Sequence, residues 1–74
     1  MPLYDYAKLR TWREDAGQTL TQAAAGLGIS YPWLVKLETG KSDPPRLDTL
    51  DMLARYYGHG LAELFPAEPA QAAS

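Results

Sequence analysis

The apolar residues of this chain fall into runs at helical spacing, and four of those runs are closed by a glycine. Leu9, Trp12, Arg13 and Ala16 lie three and four apart on one stripe, which predicts a first helix from a cap at Asp5 to about Ala16, stopped by Gly17. Ala23, Ala24 and Leu27 predict a second. Its cap is Thr19, whose hydroxyl can accept from an otherwise unpaired amide, and Gly28 ends it in the left-handed conformation that glycine adopts without a Cβ penalty. Ile29 is expected to drop into the core and lock that turn. Ser30 caps a third helix, which runs to Thr39 before Gly40. Pro32 suits its first turn, where a missing amide hydrogen costs nothing, and Leu34 and Leu37 share a face.

Lys41-Ser-Asp-Pro-Pro-Arg46 then breaks the period, because each proline biases the preceding residue away from helix. Leu47, Leu50, Leu53, Ala54 and Tyr57 resume it, with Asp48 and Asp51 in the first turns and Arg55 in the last, before Gly58. Leu61 to Phe65 is expected to form a short fifth helix that lids the core before Pro66. The expected organisation is an N-terminal arm over 1–4, a folded domain over 5–65 and a flexible tail over 66–74, rich in Ala and Pro.

The pair over Thr19 to Thr39 is two short helices joined by a glycine turn, the second with an apolar inner edge and a separate outer edge. That is a helix-turn-helix, the pattern that presents a recognition helix to DNA. Arg13 is out of place on an apolar stripe unless it reaches the rim or meets a buried acid, and Glu38, beside Leu37, is the candidate acid.

Composition narrows this without redirecting it. Seventy-four residues predict one domain, and a chain that short buries only about 60% of its unfolded surface, so its core must be compact and all-α. The absence of cysteine excludes disulfides and thiolate metal sites, no apolar run approaches the 18 residues that span a bilayer, and a cytoplasmic location is expected. The net charge of −2 argues against a simple basic binder, so the placement of the seven lysines and arginines matters more than their sum. Catalysis has no support: His59 stands between two glycines with no nucleophile or carboxylate at a defined spacing, and no metal or cofactor is expected.

From Leu9 to Phe65 the chain resembles the lambda-repressor-like, or xenobiotic-response-element (XRE), family of helix-turn-helix domains. The residues that carry the resemblance are Leu9-Arg-Thr-Trp-Arg-Glu-Asp-Ala-Gly17, Ala24 with Leu27-Gly-Ile-Ser30, Leu34 with Leu37-Glu-Thr-Gly-Lys41, and Pro45. They continue in Leu47-Asp-Thr-Leu50, Leu53-Ala-Arg-Tyr-Tyr-Gly58 and Leu61-Ala-Glu-Leu-Phe65. The resemblance implies a compact five-helix bundle with a central helix-turn-helix. It implies a transcription regulator, a homodimer on a palindromic double-stranded DNA site with the helix 30–39 in the major groove. It also implies that Arg13 pairs with Glu38, that Tyr31, Pro32, Val35 and Lys36 face the bases, and that Trp33, Thr39 and Lys41 lie along the phosphates. The family's glutamine after the second helix cap is replaced by Leu20, leaving Thr19, Thr21 and Gln22, with Arg46, as expected phosphate contacts. The loop before the fourth helix also looks about one residue long against the family pattern.

On its own chemistry Lys36 can donate to guanine O6 or N7, Val35 and Pro32 can pack on a thymine methyl, and Tyr31 can reach a phosphate or a base edge. Exposed aromatics beside one lysine also describe a protein-binding patch. The alternative is therefore a protein-interaction module, or an antitoxin-like protein, that holds a protein partner through Tyr31, Trp33 and Val35. Trp33 also reads as a cover for the edge of the core, and Lys8, Arg10 and Arg55 read as solvated charges.

Overall fold

The structure is a computed structural model that describes residues 4–65. Its elements are α1 (Tyr6–Asp15), α2 (Leu20–Leu27), α3 (Tyr31–Thr39), α4 (Leu47–Tyr56) and a 3-10 helix (Leu61–Leu64), with no strand among the described residues. The core is a leucine cluster: Leu9 from α1, Leu34 and Leu37 from α3, Leu50 and Leu53 from α4, and Leu64 from the 3-10 helix are all buried. Helix α2 meets it through Ala23, Ala24 and Leu27, and the two alanines let α2 lie close to α3 and α4.

Local chemistry accounts for the helix boundaries. Thr19 Oγ1 accepts from the Gln22 amide at 3.1 Å while the Thr19 amide donates to Gln22 Oε1 at 2.9 Å, a reciprocal capping box that satisfies two otherwise free donors. Ser30 Oγ accepts from the Trp33 amide at 3.2 Å. Gly28 and Gly40 close α2 and α3 at φ 74° and 73°, and Ile29, half-buried against the core, donates its amide to the Ala24 carbonyl.

Several expectations are corrected. The fifth element is a single 3-10 helix instead of an α-helix, since only four residues separate Gly60 from Phe65, and the residue before a proline is steered out of helix. Asp5 sits at the N-cap of α1 without a side-chain bond; instead its amide donates to the Leu64 carbonyl. Ala16 is exposed, because α1 ends at Asp15 and the chain turns away at Gly17. Leu47 is 62% exposed despite fitting the period, being the first residue of α4, where no element covers the edge of the stripe. Tyr4, placed in the expected arm, belongs to the core, and its hydroxyl donates to the Leu37 carbonyl at 2.6 Å. The expected tail lies outside the described residues.

His59 also departs from its expected isolation. Its ring stacks on Trp12 with centroids 4.1 Å apart and planes within 5°, and Nδ1 lies 3.0 Å from Glu63 Oε1 four residues on. The Gly60 amide donates to the same carboxylate at 2.8 Å, and this bond, with His59, holds the Glu63 carboxyl below the usual range. Lys8 Nζ donates to the Glu63 carbonyl at 2.7 Å, so the last turn is fastened to α1 by three separate contacts.

Candidate nucleic-acid interface

Helix α3 carries the candidate site, and its two faces differ sharply. Leu34, Leu37 and Glu38 are buried, whereas Tyr31, Pro32, Lys36 and Thr39 are exposed and Val35 is half-buried. A carboxylate on the inner face needs a partner, and Arg13 of α1 supplies it. Arg13 Nε donates to Glu38 Oε2 at 2.8 Å and Nη2 to Oε1 at 3.1 Å, while Nη1 donates to the Gln18 carbonyl at 3.0 Å. With side chains only 11% and 5% exposed, this two-bonded pair ties α3 to α1 and to the turn before α2. The hydrogen bonds to Glu38 raise the Arg13 pKa above its ordinary value, which keeps the guanidinium charged. Nearby, burial pushes the Tyr57 phenol up to about 12, with the Glu38 charge adding to the effect and Arg13 opposing it. The Tyr57 hydroxyl is buried with no hydrogen-bond partner among the described residues.

Two grooves flank the exposed ridge of α3. The first, of about 420 Å³, lies toward the α3–α4 loop and is lined by Trp33, Lys36, Lys41, Pro44, Pro45 and Arg46, among others. Three cations there face one acid, Asp43, so the wall is locally basic although the chain is acidic overall. Lys41 is set by the end of α3, where its amide and that of Gly40 both donate to the Lys36 carbonyl. The second groove, of about 240 Å³, lies toward α1 and α2 and is lined by Arg10, Arg13, Leu20, Val35, Glu38 and Thr39.

The remaining predicted contacts are less prepared. Thr39 donates its hydroxyl to the Val35 carbonyl at 2.8 Å, so its proton is turned toward its own helix. Thr19 and Gln22 are engaged with each other in the capping box, and Thr21 is exposed beside them. Arg46 lies 3.4 Å from Asp48 in an exposed pair. Trp33 is 38% exposed and lines the first groove. Arg10, read from the sequence as a solvated charge, lines the second groove; its position one turn before Arg13 was the available signal. No group of three His, Asp or Glu side chains converges as a metal site among the described residues, and no helix is long and apolar enough to cross a membrane.

A family model described as a helix-turn-helix domain matches residues 7–65. The chain belongs to that family. Over 59 residues this helix-turn-helix domain is 41% identical to the HTH-type transcriptional regulator DdrOP3 of Deinococcus deserti, covering 76% of this chain and 45% of that protein. It therefore spans less than half the length of that relative. Among solved structures, the SinR protein/SinI protein complex superposes with a TM-score of 0.76 at 15% identity, over 90% of this chain and 65% of that one. A hypothetical transcription factor, NHTF, from Neisseria matches with a TM-score of 0.74 at 16% identity, over 92% of this chain and 76% of its own. Apo-HppE matches at 0.76 and 22% identity, over 89% of this chain and 37% of its own. These structural likenesses establish the fold.

Proposed function

We propose that this helix-turn-helix domain is a sequence-specific double-stranded DNA-binding transcriptional regulator, a repressor or operon autoregulator, that lays α3 in the major groove. The observation that carries the reading is the ridge of α3: its inner face is locked by leucines and the Arg13–Glu38 pair, while its outer face stands clear between two grooves. A helix about 10 to 12 Å across fits a major groove about 12 Å wide. Lys36, Val35, Pro32 and Tyr31 then face base edges. Lys41, Arg46 and Trp33, with Thr19, Thr21, Gln22 and Thr39, lie along the phosphates. An acidic domain of this size gains most from acting as a homodimer on a palindrome, with two copies of α3 about 34 to 36 Å apart. No cofactor is required.

Selection of bound sites from a random duplex library tests this directly, and a palindromic site is the expected result. Lys36→Ala should then relax preference at one base pair, whereas Lys41→Ala should weaken every sequence and lower the salt slope by about one. Equal loss on every sequence from Lys36→Ala would remove its reading role. The second reading, a surface for a protein partner, draws support from Tyr31 at 49% and Trp33 at 38% exposure. Failure to retain any duplex at about 50 mM salt would favour it.

A further inference from the structure

The two grooves beside α3 are unequal in what they offer a phosphate. A helix seated in the major groove has one sugar-phosphate strand along each side, so both walls need donors. The first wall has Lys41 and Arg46. In the second, the Leu20 side chain is apolar, Thr39 donates its hydroxyl hydrogen bond to the Val35 carbonyl, and Arg13 is committed to Glu38 and Gln18. The remaining cation in that wall is Arg10. Its Nε donates to Glu14 Oε2 at 3.2 Å, and the two side chains are 68% and 55% exposed, so the pair is loosely held and the rest of the guanidinium fork faces solvent.

Building on the DNA-binding reading above, we propose that Arg10 is the phosphate clamp of the second strand, restrained by Glu14 in the free protein and released from it on the duplex. A phosphate has the charge and the paired oxygens to displace the carboxylate, and guanidinium can hold it by two bonds. Arg55 provides a matched control: it makes the same kind of exposed pair with Asp51 four residues away, at 2.9 Å, but lines neither groove.

The test is duplex binding by fluorescence anisotropy between 50 and 200 mM salt, on the site recovered by selection and on a scrambled duplex. Arg10→Ala is expected to weaken both by roughly tenfold at the low-salt end, the loss typical of one charged hydrogen-bonded contact. Its salt slope should fall by about 0.9, so the deficit shrinks about 3.5-fold across the range. Arg55→Ala should follow wild type. Glu14→Gln, which keeps Arg10 and removes its competitor, should tighten binding. Wild-type affinity and slope in Arg10→Ala, or weakened binding in Glu14→Gln, would overturn the clamp while leaving the DNA reading intact. A wild-type protein that retains no duplex would overturn both.

Discussion

Arg13→Ala is expected to cost the domain about 3 to 5 kcal/mol, the range for removing one member of a buried ion pair. The magnitude follows from what the substitution leaves behind. Glu38 is 5% exposed and loses two hydrogen bonds, at 2.8 and 3.1 Å, so its carboxylate must stay desolvated, take up a proton, or draw water into the junction of α1 and α3. The Gln18 carbonyl loses a donor at the same time. A domain of this size holds about 3 to 9 kcal/mol in all, so the loss takes from about a third to all of its stability. Urea titration followed by fluorescence of the buried Trp12 measures the change. Arg13→Met combined with Glu38→Leu should recover most of the loss, because the penalty lies in the orphaned charge and not in the absence of the pair. A loss below about 1 kcal/mol in Arg13→Ala, the scale of exposed pairs, would refute the reasoning, as would a double variant no better than the single one. Any fall in DNA binding by Arg13→Ala must accordingly be corrected for the folded fraction.

Tyr57→Phe should be neutral or up to about 1 kcal/mol more stable near pH 7, because it removes a buried hydroxyl that has no partner. The phenol's pKa is raised from 10.0 to about 12, so its share of stability is complete below pH 10 and is lost as pH rises through 12. The variant should flatten that alkaline decline but not abolish it, since burial also raises the Tyr4 phenol; an unchanged urea-versus-pH profile would contradict the assignment. Gly40→Ala should lower the thermal midpoint more than Gly28→Ala. Both glycines need positive φ, but a Cβ at Gly40 would come within 2.7 Å of the Tyr6 ring whereas one at Gly28 meets nothing within 4 Å. Equal midpoints would show that Tyr6 yields without cost.

Much of this domain was legible because its signals are local. Thr19 and Gln22 are three residues apart, so their capping box needs no information beyond the segment itself, and the same holds for Ser30 with the Trp33 amide and for the left-handed glycines at 28 and 40. The split of α3 into a buried leucine face and an exposed outer face follows from the 3.6-residue period alone. Arg13 on an apolar stripe had either to reach the rim or to meet a buried acid, and it meets Glu38, 25 residues away.

Contacts across longer separations did not follow the period. A helical repeat says which residues share a face, not which neighbour covers it, so Leu47 fits the stripe of α4 yet points into solvent. Tyr4 lies outside every periodic run, but a hydrogen bond to Leu37, 33 residues on, draws it inside. His59 found its stacking partner in Trp12 only when the last turn folded back onto α1. Arg10 looked like any surface arginine until the packing of α1 against α3 set it in the wall of a groove. Helix limits and faces are governed by neighbours a few residues along the chain and can be read from it. Burial, stacking and groove walls depend on which surfaces meet, and that is settled by the mutual packing of whole elements.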